Sequence, residues 1–473
     1  MSERLASMVG GRSMLVSLIV AIAFFMETLD ATIIVTALPQ MARDFGVDAA
    51  RMSMGITAYL MAAAACVTAS GWLADRVGTR TLFCGAIGLF TLSSLVCGLA
   101  PDFTTFIVGR AMQGAAAAMM SPVGRLVVLR TSEKKDLMKA LSALIWPGLV
   151  APVLGPPLGG WITDAASWHW IFYVNIPVGL IGMALVLAFV PNEKKEPTRF
   201  DGRGFILTAV ALLALTYGFD LLGLRETSAL AIGLGLMLFA LAVGMAALRH
   251  MRRTQAPLVR LEALKVHSFF ISSVTGGVLS RATISATPFL LPLMFQLAFG
   301  LSPLEAGGML MIYMLANLGM KMLTNPVITR FGIRATLIWS SIGAGITIAL
   351  CAFIVPEQHL LLNGLILALA GAGRSLQLTA ITMVNFADIA PQQRQPASVL
   401  SSLTQQIGMG AGVAVGALLL TLSQMARGAD AIGLADFRVA LVLAGAMSAL
   451  AALSYRSLAR DVGDEISGHR ARA

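Results

Sequence analysis

Seven ionisable side chains lie deep inside long apolar runs of this 473-residue sequence: Glu27, Asp30, Arg110, Arg125, Arg281, Lys321 and Arg374. A charge held in a bilayer core costs from ~2.5 to ~10 kcal/mol or more, so each such group must face protein or water and is read as functional by default. Glu27 and Asp30 are three residues apart and share one helix face. Burial favours the neutral carboxyl and a neighbouring guanidinium favours the carboxylate, so an acid that gains and loses an arginine partner can take up and release a proton. Asp30 with Arg110 is the expected pair, and Glu27 the second acid. Arg125 sits near the end of its run and can snorkel. Arg281, Lys321 and Arg374 have no acid deep within an apolar run of their own half. Chloride, water, the two acids across the interior or an anionic ligand must therefore satisfy them. A ligand carrying one or more carboxylates is the expectation, with Gln113, Asn317, Gln377, Gln405 and Gln406 as neutral donors beside it.

The elements that position these groups follow from composition. Residues are 57% hydrophobic and only 12% charged, with mean hydropathy +0.81, against ~25% charged in soluble domains. This is an all-α integral membrane protein, with the lipid bilayer as solvent. Fourteen apolar runs, the first at 14–38 and the last at 437–457, are long enough to cross. Loops on the side of the termini hold 24 of the 34 lysines and arginines, against five in the opposite loops, which sets both termini in the cytoplasm. The net charge of +10 comes as short runs between apolar segments, without a basic stripe interleaved with aromatics, so no nucleic-acid partner is expected. Cys66, Cys84, Cys97 and Cys351 lie inside apolar runs at no ligand spacing, so neither disulfide nor metal site is implied. The polar start MSERLASMVGGRS leads straight into the first run, and no removable signal peptide is expected. His169 and Ser121 lack the base and orienting partners an enzyme needs, and no cofactor motif is present.

Internal similarity divides the chain. GRAMQ at 109–113 recurs as GRSLQ at 373–377, DRVGTR at 75–80 as TRFGIR at 329–334, and LPQM at 38–41 as LPLM at 291–294. The nearly constant offsets superpose runs one to six on nine to fourteen. The expectation is a six-helix bundle over 1–190, two inserted helices with linkers over 191–266, and a second six-helix bundle over 267–473.

Several motifs carry a resemblance. GWLADRVGTR, with Gly71, Asp75, Arg76, Gly78 and Arg80, resembles the cytoplasmic loop signature of the major facilitator superfamily. Gly78 permits the tight turn, and the charges sit at helix ends. RAMQG, through Arg110, Gln113 and Gly114, matches a second signature. APVLGPPLGG, with Gly155, Pro156 and Gly159, resembles the bent, close-packed antiporter motif of its exporters, with Ala151 replacing the first glycine. LDATIIVTALP and SWHWIFYVNIPVG are similar to segments of its fourteen-helix drug:proton antiporters, with Thr36 and His169 as departures; TQQIGMGAG adds the eleventh-span glutamine pattern. His169, between Trp168 and Trp170, reads as an interfacial anchor. The resemblance implies a monomeric, proton-coupled efflux transporter of small molecules in the bacterial inner membrane. Asp75 and Arg76 gate the cytoplasmic side in that reading, and Arg281 and Arg374 reach a central cavity. The alternatives are export of lipophilic cationic drugs, or a facilitator or uptake symporter.

Overall fold

The computed structural model describes residues 12–131, 137–194, 199–222, 227–355, 360–390 and 393–464. Among these residues there is no strand. In hydrocarbon every backbone N–H and C=O must be paired within its own segment, which leaves the helix as the solution for these runs. Fourteen long helices result: α1 Arg12–Ile33, α2 Ser53–Val77, α3 Thr79–Gly98, α4 Phe103–Thr131, α5 Leu137–Ala165, α6 Asn175–Phe189, α7 Gly202–Leu222, α8 Thr227–Arg253, α9 Gly276–Leu293, α10 Pro303–Phe331, α11 Ile333–Cys351, α12 Leu360–Ala387, α13 Arg394–Ala426 and α14 Leu434–Tyr455. Among the described residues thirteen helical segments are long and apolar enough to span a membrane. At the expected fifth run stands α5, 29 residues long with Pro147, Pro152, Pro156 and Pro157 inside it. The protein is a multi-pass membrane protein.

The two halves pack alike. In the first, α1 packs on α5, α2 on α4, α3 on α4 and α3 on α6; in the second, α9 packs on α13, α10 on α12, α11 on α12 and α11 on α14. Two seams join the bundles, α2 against α13 and α5 against α10, and α7, paired with α8, lies along α2 beside the first seam. The loop glycines Gly78 and Gly332 repeat too: both have positive φ, 96° and 78°, and each follows the last turn of a long helix. Side chains with a Cβ rarely adopt that backbone.

Apolar cores lie toward both membrane faces. At the outer end one core runs through both bundles, from Ile33, Leu38, Phe106 and Ile162 to Phe289, Leu310, Tyr313 and Phe437. At the inner end, Phe83, Val123 and Val127 share one core with Ala397, Leu400 and Leu403 of α13, and Ile328, Leu337 and Tyr455 form another within the second bundle. Two hydrogen bonds between the bundles, Gln296 Nε2 to the Thr36 carbonyl at 2.9 Å and the Leu304 N–H to Asp164 Oδ2 at 3.0 Å, both lie at the outer end. The bundles are tied together at the outer end.

Candidate functional site

The deepest polar cluster lies in the first half. Helices α1, α3, α4 and α6 bring together Asp30, Ser94, Arg110, Gln113 and Asn175, each no more than 2% exposed. Arg110 Nη1 donates to Asp30 Oδ2 and to Gln113 Oε1, both at 2.6 Å. Asp30 Oδ1 accepts from Asn175 Nδ2 at 2.8 Å and Gln113 Nε2 at 3.2 Å. Gln113 also donates to Ser94 Oγ at 2.7 Å. The Arg110 guanidinium stacks over the Tyr59 ring, 4.7 Å from its centroid. Such a pair holds its place because removing either charge strands the other, at ~3–5 kcal/mol. One turn inward on α1, half-buried Glu27 accepts from Ser121 Oγ of α4 at 2.8 Å, within reach of the Arg125 and Asp30 charges.

In the second half the expected residues are dispersed. Arg281 of α9 is buried and stays within its own bundle. A wide π-turn, Ile271–Thr275, precedes α9, and its Ser273 carbonyl accepts from Arg281 Nη1 at 3.4 Å, as does Thr404 Oγ1. With the Asn385 amide turned so that its nitrogen reaches Ser272, its oxygen takes Arg281 Nη2 at 3.1 Å. Gln377 is buried and donates to Ser280 Oγ and Ser341 Oγ at 2.9 and 3.0 Å. Arg374 is half-buried, its guanidinium over the Tyr313 ring at 5.7 Å, with Nε and Nη1 lacking any hydrogen-bond partner. Lys321 of α10 is exposed and close enough to feel the Arg374 charge. Asn317, one turn along α10, has a buried Oδ1 without a partner. Gln405 is exposed and Gln406 half-buried on α13.

The glycine–proline segment packs closely at the outer end on two sides. A Cβ at Gly155 or Gly159 would overlap Thr32 and the Ile33 carbonyl of α1, and one at Gly160 would overlap the Pro303 carbonyl of the opposite bundle. Gly307 of α10 lies as tightly against the Pro156 carbonyl. At the inner end, Arg76 stacks over Trp72 at 5.2 Å, Trp72 meets Phe200 at 4.5 Å, and Gly78 lies against Asn192. The linker into α7 thus covers the signature loop, while Gly71 faces open space and Arg80 is half-buried. Half-buried Asp75 also has a partner. His169 stacks on Trp168 at 3.8 Å, and Trp168 Nε1 donates to Asp44 Oδ2 at 2.6 Å. Burial holds the His169 imidazole below its usual range, only partly offset by Asp44.

Sequence reasoning missed Asn175 as a partner of Asp30 and Ser94 as the acceptor that holds Gln113 and Asn175 in place. Asn175 stood in a quoted segment, and its polar amide in an apolar helix was the available signal; Ser94 offered none.

Residues 20–260 and 273–471 match the Major Facilitator Superfamily. Over 407 residues, 85% of this chain and 86% of the relative, the sequence is 36% identical to the putative multidrug resistance protein MdtD of Pectobacterium atrosepticum. Over 406 residues, 85% of both chains, it is 36% identical to the protein of that name in Escherichia coli. The fold is similar to that of the human organic anion transporter MFSD10, with a TM-score of 0.61 and 15% identity over 94% of this chain and 99% of the other. It is also similar to a D-xylose-proton symporter, with a TM-score of 0.63 and 15% identity over 94% and 96%. These structural likenesses speak for the fold alone. On the family match and the identity to its relatives together, the chain belongs to the Major Facilitator Superfamily, a family of transporters and not of enzymes.

Proposed function

We propose that the protein is a proton-coupled exporter of small organic compounds, anionic ones in particular, acting as a monomer in the inner membrane of a bacterium. The observation that carries this reading is the buried Asp30–Arg110 pair. A proton on Asp30 cancels the pair and leaves Arg110 charged without its match, so protonation is linked to movement of α1 against α4. Glu27, one turn inward and bonded to Ser121, is the step between inner water and Asp30. Asp30 paired to Arg110, with the bundles tied together at the outer end, fits the stage at which the proton has left inward. The glycine–proline segment and the multidrug-resistance names of the relatives favour export over uptake. Arg374, with two nitrogens unpaired and Lys321 nearby, favours an anion.

The test uses protein reconstituted in vesicles with an imposed pH gradient, labelled succinate as the anionic probe and ethidium as the cationic one. Asp30→Asn is expected to keep binding and lose uphill transport. Undiminished gradient-driven transport by that variant would remove Asp30 from the mechanism. Accumulation of substrate by intact cells expressing the parent would favour an uptake symporter instead.

A further inference from the structure

The second half repeats the frame of the first half's buried cluster without its acid. Arg110 and Arg374 each lie over a tyrosine, Tyr59 at 4.7 Å and Tyr313 at 5.7 Å, and the two tyrosines are 254 positions apart, as are Gly78 and Gly332. Three residues after each arginine a glutamine donates Nε2 to a serine of the neighbouring helix: Gln113 to Ser94 of α3 at 2.7 Å, Gln377 to Ser341 of α11 at 3.0 Å. The same amide nitrogen reaches the first helix of each bundle. In the first half it meets Asp30 Oδ1 of α1; in the second it meets Ser280 Oγ of α9 at 2.9 Å. Ser280, whose hydroxyl also meets the Tyr455 hydroxyl at 2.8 Å, takes the donation from Gln377 that Asp30 takes from Gln113.

The missing carboxylate leaves its mark. Arg110 Nη1 is shared by Asp30 and Gln113, whereas Arg374 Nε and Nη1 and Gln377 Oε1 are buried without partners. Unmade hydrogen bonds to a buried charged group are among the costlier defects a protein carries, which makes an outside partner worth holding. Tyr313, Asn317 and Lys321 recur every four residues along one face of α10, so Lys321 adds a second positive charge at the inner, exposed end of the same face.

We propose that this acid-free frame is a carboxylate seat, in which a carboxylate of the transported compound takes the place that an aspartate holds in the first half. It accepts from Arg374 and is balanced by Lys321. Arg281, already held by Ser273, Thr404 and Asn385, is outside the seat. The proposal rests on the reading of the protein as a transporter of small organic compounds and assigns the anionic end of its substrate.

The experiment is equilibrium binding to the purified full-length protein, with succinate, tricarballylate and benzoate as carboxylates, dimethyl succinate as the neutral isostere and ethidium as a cation. The parent should bind carboxylates and not the diester. Arg374→Gln should weaken carboxylate binding at least tenfold, Lys321→Gln less, and Arg374→Lys should retain part of it. Ser280→Asp should also abolish binding by supplying the absent acid; should that variant not fold, the Arg374 and Lys321 series decides alone. Unchanged succinate binding by Arg374→Gln, or a parent that binds ethidium but none of the carboxylates, overturns the seat. In that last case, pH-gradient-driven ethidium transport lost in Asp30→Asn leaves the exporter reading intact. Conversely, Arg374-dependent carboxylate binding without any gradient-driven transport upholds the seat and removes the proton-coupled reading.

Discussion

Gly159 of α5 lies flush against the carbonyl of Ile33 at the end of α1, with the Thr36 hydroxyl just beyond. The nearest obstacle to a Cβ there is backbone oxygen, which cannot swing aside as a flexible side chain would. Gly159→Ala must push α5 away from α1, an overpacking cost of ~1–3 kcal/mol. The same helix carries the outer seam through Gly160 and Pro303. Vesicles holding Gly159→Ala should therefore dissipate an imposed pH gradient several-fold faster than the parent. A leak rate equal to the parent's would place the seal elsewhere.

The Asp30–Arg110 pair makes a distinct stability prediction. Arg110→Ala leaves a buried carboxylate without its cation and should destabilise the protein by ~3–5 kcal/mol. In the double variant Asp30→Asn with Arg110→Gln neither charge is stranded, so the melting temperature should recover in part while uphill transport stays absent. Additive losses of melting temperature would mean that the two side chains do not act as a pair.

Asp201, just before α7, gives a pH dependence outside the membrane. Burial alone would raise its carboxyl, but donors from the Gly204 N–H at 2.9 Å, His250 Nε2 at 2.7 Å and the Leu258 N–H at 3.3 Å outweigh it and hold the group below the usual carboxylate range. A depressed value in the folded state stabilises above the unfolded value of about 3.9 and is lost as pH falls through the folded one. In detergent, the melting-temperature gap between the parent and Asp201→Asn should be open near neutral pH and close below about pH 4. A gap independent of pH would show that the carboxylate charge contributes nothing there.

Hydropathy and loop charge read the fold well because a bilayer imposes length and pairing on every crossing segment. The repeat was legible where backbone geometry demanded it, as at Gly78 and Gly332. Which face of a helix meets which neighbour was less so, because helices apolar all round carry little amphipathic signal. The pairing of Asp30 with Arg110 followed from charge, whereas the contributions of Asn175 and Ser94 depended on the tilt of α6 and α3. Arg281 and Gln377 show the same limit. Sequence makes each a candidate for the interior, and the structure binds Arg281 to a carbonyl released by a π-turn and Gln377 to serines of α9 and α11.

The linker contacts at the inner face carry a mechanical consequence. Asn192, Glu193 and Phe200 fasten the chain entering α7 to the α2–α3 turn, and Val259 and Ala263, leaving α8, lie in an inner core with Phe83 of α3 and Ala397 and Leu400 of α13. The inserted pair is thus fastened to the first bundle at its entry and lies in a shared core at its exit. In the transport cycle proposed above, this attachment is expected to carry the inserted pair with the first bundle. Spin labels on α8 and α3 should keep one separation across the transport cycle, while labels on α8 and α11 should report two.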